Sequence, residues 1–367
     1  MEFIFLTLMG FLMAVILGQL IIPRILVISL RKRLFDLPDI RKVHNRPIPR
    51  LGGVVFFPVV LLVMCTMGLF QLTIGDGVDW NHIYPIIKES LCLIAGLMML
   101  YIIGICDDLV GVCYNRKFLV QILASAFLPL SGLYIKNFDG LFGWYAITPF
   151  LGIPLTMLLT VFLINAINLI DGIDGLASGL CMVALMVFGV SFGIHGLWMY
   201  VVLAFACVGV LIPFFLYNVF GNADRGHKIF MGDTGSLTLG FILSVMVVKY
   251  ITYMGEQSAS LDGAPIVVAF SLLLVPSLDV CRVVLNRLRR NVHPFKPDKC
   301  HIHHKFLQMG FTPRRTLVLI QIMALAFIIL TSVLLQTGVY AHLVFILDIL
   351  LWTLMNVWFS RIINRRV

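Results

Sequence analysis

Pro149-Phe-Leu-Gly-Ile-Pro-Leu-Thr-Met-Leu-Leu-Thr-Val-Phe-Leu-Ile-Asn165-Ala-Ile-Asn168-Leu-Ile-Asp171-Gly-Ile-Asp174-Gly175 starts as an apolar run and ends in a cluster of amides and carboxylates. Its first part matches the roughly 20 residues that carry a helix across a hydrocarbon core. The stretch therefore reads as a membrane span whose end meets water. Carboxylates at such an edge are costly unless they have a partner or a task. The same conjunction recurs at Asp107-Asp108 and at Met231-Gly-Asp233-Thr-Gly-Ser, in a chain with only 18 acidic residues in 367. Three clusters at three span ends point to one shared site, and a divalent cation holding phosphate is the natural partner.

Composition agrees with the span. With 60% hydrophobic and 12% charged residues and a mean hydropathy of +1.01, the chain has too little polar surface to be a soluble domain. The fold class expected is an all-α, polytopic integral membrane protein. Eleven transmembrane helices are placed, at about 3–23, 51–70, 86–106, 118–134, 149–168, 176–194, 198–219, 236–253, 264–284, 316–336 and 342–360. The first lacks a basic leader and a small-residue cleavage site, so it reads as a retained helix. No low-complexity tract or long polar linker interrupts residues 1–367, and a single integral domain is expected.

The connections alternate in charge. Every Lys and Arg except Lys88, Lys136 and Lys249 falls on one side, which orients the N-terminus outside (periplasmic) and the C-terminus in the cytoplasm. All three acidic clusters then lie on the cytoplasmic face, a coincidence that the charge count did not impose. The active-site loops expected there are near 31–50, 107–117, 165–175, 220–235 and 285–315. The eight cysteines sit in predicted helices or cytoplasmic loops, so structural disulfides are not expected.

Asn165, Asn168, Asp171 and Asp174 recur at every third position. If the span stays helical through them, their oxygens share a slowly drifting stripe able to grip a metal and an anionic substrate. Capping and helix breaking around Gly172 and Gly175 is the plainer reading of any one of them. Asp233 lies among small residues that leave room for a metal and its waters, and it too could be an ordinary cap. Asp107-Asp108 places like charges side by side, as expected where a cation neutralises them or one acts as a base. Lys117 could return to the same site as a phosphate partner or serve only as a topology signal.

Two basic loops complete the set. Arg41-Lys-Val-His44-Asn-Arg-Pro-Ile-Pro-Arg50-Leu-Gly-Gly53 is a proline-stiffened cationic turn. His301-Ile-His303-His304-Lys305 suggests either zinc or phosphate. Cys300 stands alone and cannot complete a zinc set, so a phosphate clamp is preferred. Orientation and contact with anionic lipid would explain the basic residues without a substrate. The net charge of +9 needs no nucleic-acid partner.

Together the ordered motifs His44-Asn-Arg-Pro-Ile-Pro-Arg50-Leu-Gly-Gly, Asp107-Asp108, Asn165 to Gly175, Met231-Gly-Asp233-Thr-Gly-Ser and His301-Ile-His303-His304 resemble the polyprenyl-phosphate N-acetylhexosamine-1-phosphate transferases. The eleven-span layout and the interrupted histidine triplet are similar to the branch that uses UDP-GlcNAc. The branch that uses UDP-MurNAc-pentapeptide typically carries three consecutive histidines followed by Phe-Glu, where this chain has Ile302 and Lys305-Phe306. The resemblance implies metal-dependent transfer of GlcNAc-1-phosphate from UDP-GlcNAc to undecaprenyl phosphate with release of UMP. This would be the first membrane step of enterobacterial common antigen and O-antigen synthesis, in the bacterial inner membrane.

By the same resemblance, Asp233 and Asn168 would ligate Mg2+ or Mn2+. Asp171 and Asp174 would support the metal and nucleotide region. Lys117, Asn165, His44, Arg50, His301, His303 and His304 would bind substrate, and Asp107 or Asp108 would position or deprotonate the lipid phosphate. Homo-oligomerisation stays open. Two other readings remain: a sister transferase with another UDP-N-acetylhexosamine, and an ion-coupled transporter using Asp279 and Asp348.

Overall fold

The computed structural model describes residues 2–36, 48–74, 80–257, 263–291 and 300–365. It is an all-helical bundle, with one two-residue antiparallel pair, Phe35–Asp36 with Ile48–Pro49, as its small extended element. The helices are α1 (Glu2–Lys32), α2 (Phe56–Ile74), α3 (Trp80–Val110), α4 (Tyr114–Ser125), α5 (Phe127–Ser131), α6 (Pro149–Ile170) and α7 (Leu176–Ile194). They continue with α8 (Trp198–Phe215), α9 (Gly232–Gln257), α10 (Ala264–Leu272), α11 (Leu274–Arg289), α12 (Ile302–Gln308), α13 (Pro313–Gln336) and α14 (Ala341–Asn364).

Among the described residues, nine helices are long and apolar enough to cross a membrane singly, and α10 with α11, bent by 78° at their junction, would make a tenth if the pair is one span. The remaining expected span, 118–134, folds as α4 and α5, each too short to cross alone. The pair nevertheless runs from one end of the bundle to the other. Lys117 in α4 meets Asp233 at the start of α9, whereas Lys136, just past α5, bonds Glu256 near the end of α9 at 3.3 Å. Those two acids are separated by about 35 Å of helix, at 1.5 Å per residue. Of the eleven expected segments, nine thus stand among the described residues as single helices of crossing length, 264–284 is sharply bent and 118–134 is broken in two.

The core forms around α9, which is buried on nearly every side and packs against α3, α6, α7 and α10. Its apolar face includes Leu237, Phe241, Leu243 and Val248. The lipid-facing flank is the opposite case: Leu8, Leu12, Ile16 and Leu20 along α1 are all exposed. An apolar chain without an apolar solvent could not tolerate both. All eight cysteines are free thiols, as expected.

Charges separate to the two ends. At the far end Glu89 receives Lys249 at 2.8 and 2.9 Å and the Tyr200 hydroxyl at 2.6 Å, tying α3, α8 and α9 together. At the near end lie the three acidic clusters.

Candidate active site

Asp233, in the first turn of α9, is the centre of the near end. Gly232 precedes it at φ +72°, and a Cβ there would lie 2.1 Å from the Arg50 carbonyl oxygen and 2.5 Å from Asp108 Oδ2. Only glycine permits that conformation and that approach. The backbone of the Arg50 loop is stitched alongside: Phe230 N donates to Pro49 O at 2.7 Å, Gly52 N to Phe230 O at 2.9 Å and Gly53 N to Met231 O at 2.8 Å. This seats the Arg50 guanidinium 3.9 Å from Asp233 Oδ1.

The paired aspartates at the end of α3 have different environments. Asp108 accepts the Asp233 amide on Oδ1 at 2.8 Å, and on Oδ2 the Thr234 amide at 3.0 Å and hydroxyl at 2.6 Å. It caps α9 from another helix, compensating orphan N–H groups and the positive end of the dipole. Asp107 accepts the Val112 amide on Oδ1 at 2.8 Å, while Oδ2 meets Lys117 Nζ at 3.2 Å. Lys117 also bonds Asp233, so one ammonium bridges two carboxylates.

The expected stripe on α6 is only half realised. The helix stops at Ile170, and Asp171 (φ −73°, ψ 53°) has left it. Asn165 donates to Gln121 Oε1 at 2.6 Å, and Asn168 donates to Ser236 Oγ at 2.8 Å, leaving its amide oxygen uncommitted by that bond. Asp174 lies in the following turn and pairs with Lys228 at 2.6 Å. The turn itself is fixed by Asn218, which accepts the Gly175 amide at 2.6 Å and donates to Ile229 O at 2.8 Å. The Asp171 carboxyl is pushed up to about 7, chiefly because burial withholds water, and secondarily by Asp174 and Asp233.

The histidine loop closes over this turn. His303 is buried, and a Cβ on Gly172 would lie 2.2 Å from its Nε2. Neither ring nitrogen has a hydrogen-bond partner among the described residues, and burial holds the imidazole down at about 3, so it is neutral. The His301 ring lies parallel to it at 5.9 Å between centroids, and the His304 ring 4.2 Å away at 46°. Lys305 turns away, donating to Asn356 and Ser360 of α14 at 3.0 to 3.2 Å. Burial lowers its ammonium to about 8. His44 falls outside the described residues.

The donor chemistry suits a hard cation. Asp233 supplies carboxylate and Asn168 an amide oxygen, the ligand type that Mg2+ and Mn2+ favour. Among the described residues no three His, Cys, Asp or Glu side chains form a protein-only metal cage. Mg2+ commonly takes one or two carboxylates and completes its shell with water and substrate phosphate.

The structure also brings in residues that lie outside the motifs, Gln121, Asn218, Lys228 and Asp279, and gives Thr234 and Ser236, inside one of them, contacts with Asp108 and Asn168. Asp279 accepts from His301 and Arg282, whereas Asp348 of α14 accepts the Thr331 hydroxyl at 2.8 Å. Each thus has a local partner, and neither contact marks a coupling site for a transporter.

A membrane-spanning helical bundle with carboxylates, amides and cations gathered at one end defines a polytopic membrane enzyme. A family model described as glycosyl transferase family 4 matches residues 90–251. An undecaprenyl-phosphate alpha-N-acetylglucosaminyl 1-phosphate transferase of Yersinia pestis is 31% identical over 81% of this chain and 76% of its own length. The decaprenyl-phosphate N-acetylglucosaminephosphotransferase of Mycolicibacterium smegmatis is 35% identical over 80% of this chain and 73% of its own. A probable undecaprenyl-phosphate N-acetylglucosaminyl 1-phosphate transferase of Bacillus subtilis is 29% identical over 93% and 88%. The chain belongs to glycosyl transferase family 4, the polyprenyl-phosphate N-acetylhexosamine-1-phosphate transferases.

Proposed function

We propose that this protein transfers GlcNAc-1-phosphate from UDP-GlcNAc to undecaprenyl phosphate, giving undecaprenyl-diphospho-GlcNAc and UMP. The reaction takes place on the cytoplasmic side of the bacterial inner membrane and primes enterobacterial common antigen and O-antigen synthesis. The observation that carries the reading is the Lys117 bridge between Asp107 and Asp233, with Arg50 beside it at the start of α9. Clustered cations and a helix start suit phosphate, and carboxylates suit a cation that accompanies it. The names of the relatives support the donor sugar and the polyprenyl acceptor.

In the reaction an oxygen of the lipid phosphate attacks the β-phosphorus of the donor, and the bond from that phosphorus to the bridging oxygen breaks, releasing UMP. Asp107 orients the lipid phosphate or takes its proton, because Asp108 is committed to α9. Lys117 and Arg50 neutralise the phosphates as charge moves onto the leaving group. Asp233 and Asn168 would hold the Mg2+ or Mn2+ ion, which when bound spreads the charge developing on the diphosphate. His301 and His304 line the donor side, and the Asp171 to Gly175 turn supports the nucleotide. The isoprenoid tail stays in the bilayer while its head group meets the soluble donor.

A donor panel decides the matter. Purified protein is incubated with undecaprenyl phosphate, Mg2+ and either UDP-GlcNAc, UDP-GalNAc or UDP-MurNAc-pentapeptide, and UMP and lipid products are identified by mass spectrometry. UMP and lipid-diphospho-GlcNAc are expected with UDP-GlcNAc. A product only with another donor would reassign the sugar, and no product with any donor would overturn the reading.

A further inference from the structure

Asp279 lies on α11 with no exposed surface. A carboxylate so far from water needs partners on both oxygens. Oδ1 accepts Arg282 Nη2 at 2.7 Å and the Ile302 amide at 3.0 Å. Oδ2 faces His301 Nδ1 at 2.8 Å. Arg282 Nη2 donates in addition to the Cys300 carbonyl. One acid and one arginine of α11 therefore hold three successive residues, 300 to 302, at the point where α12 begins.

We propose that Asp279 is a positioning residue for phosphate recognition: it fixes the His301 ring with Nδ1–H toward α11 and presents Nε2 to the substrate. This rests on the reading of the histidine loop as a phosphate-binding element. An ionised carboxylate only accepts, so the nitrogen opposite it must carry the hydrogen. The neighbouring His303 ring lies parallel to that of His301 and is held neutral against Gly172. When His301 is protonated, Nδ1 donates to Asp279 and Nε2 donates to a phosphate oxygen, a carboxylate–imidazole–phosphate row.

The two oxygens divide the labour, which makes the proposal separable from simple packing. Oδ1 anchors backbone and arginine, and Oδ2 alone meets the imidazole. Asp279→Asn can keep an oxygen for Arg282 and Ile302 while turning an amide N–H toward His301 Nδ1. Two donors cannot face each other, so Nδ1 becomes the acceptor and the neutral ring carries its hydrogen on Nε2. The cationic ring loses its place.

The full chain in nanodiscs with undecaprenyl phosphate and UDP-GlcNAc provides the test, using wild type, Asp279→Asn, His301→Ala and the double variant. The Asp279→Asn variant is expected to melt near the wild-type temperature and to lose about 10- to 100-fold in kcat/KM for UDP-GlcNAc, the usual effect of removing a partner that orients a histidine. The double variant is expected to be no worse than His301→Ala. Losses that multiply, or wild-type turnover in Asp279→Asn, would overturn the proposal. Nitrogen NMR of histidine-labelled wild type is a second readout, with the His301 signal identified by its absence from the His301→Ala variant. The neutral ring should carry its hydrogen on Nδ1, and the opposite tautomer would overturn the assignment even if the Asp279→Asn variant fails to fold. A wild type inactive with every donor would instead sink the transferase reading, leaving the tautomer to decide the Asp279 assignment.

Discussion

Asp107 and Asp108 are neighbours that should fail in different ways. Asp108→Asn removes the charge that faces the start of α9 and leaves one oxygen for donors that now use two, the amides of Asp233 and Thr234 and the Thr234 hydroxyl. The hydroxyl can rotate to accept, but one amide is left facing the new NH2 group. Losing a hydrogen bond to a charged acceptor costs about 1.5–3 kcal/mol, and the lost helix-end charge adds about 0.3–1 kcal/mol. The expected destabilisation is therefore about 2–4 kcal/mol. Asp107→Asn keeps an acceptor for the Val112 amide and weakens a largely buried contact with Lys117, which retains Asp233 as its other partner, so its unfolding free energy should change by only about 0.5–1.5 kcal/mol. Its turnover should fall at least about 100-fold, in the range of a lost general base. Unfolding in mixed detergent micelles gives the free energies, and UMP release per folded molecule gives the turnover. If Asp108→Asn unfolds like wild type yet is inactive while Asp107→Asn turns over normally, the assignment of the two acids is reversed.

Gly172→Ala would put a Cβ into the His303 ring and should cut turnover at least about tenfold while leaving membrane insertion intact; normal kinetics would mean that the ring can move without consequence. The Asp171 carboxyl, raised to about 7, binds its proton more tightly folded than unfolded, so stability without added cation should fall as pH rises from about 4 to about 7 and level off above it. Asp171→Asn should flatten that part of the melting profile, and an unchanged slope would remove Asp171 as its source. Cysteines introduced at Arg225 and Glu256 in a cysteine-free variant should react from opposite faces, the former from the cytoplasm; labelling of both from one face would refute the topology.

The spans were legible because hydropathy is local: each run of apolar residues announces its helix without reference to the rest of the chain. The acidic clusters were legible for a related reason, since carboxylates are rare here and their cost at a membrane edge singles them out. What sequence could not divide was the Asp107-Asp108 pair, because the amides that claim Asp108 lie 125 and 126 residues away. Asp279 entered only the transporter reading for the same reason: its His301 partner lies 22 residues away. The regular spacing from Asn165 to Asp174 suggested more helix than forms, as the chain breaks after Ile170 into a turn with Gly175 at φ +76°. The run 118–134 concealed a break at Ala126, between α4 and α5, because an apolar composition does not distinguish one helix from two short ones.

The first helix begins and the last helix ends at opposite ends of the bundle, which has a practical meaning. Phe3 stacks on Trp198 at the far end of the bundle, with ring centroids 4.8 Å apart. Ser360 instead receives Lys305 at the near end, at 3.0 Å. A reporter joined beyond α14 would share a compartment with the catalytic loops, whereas one joined ahead of α1 would sit across the bilayer from them. A binding protein raised against the first could crowd the proposed donor site; one raised against the second could hold the protein to a surface from the opposite end of the bundle.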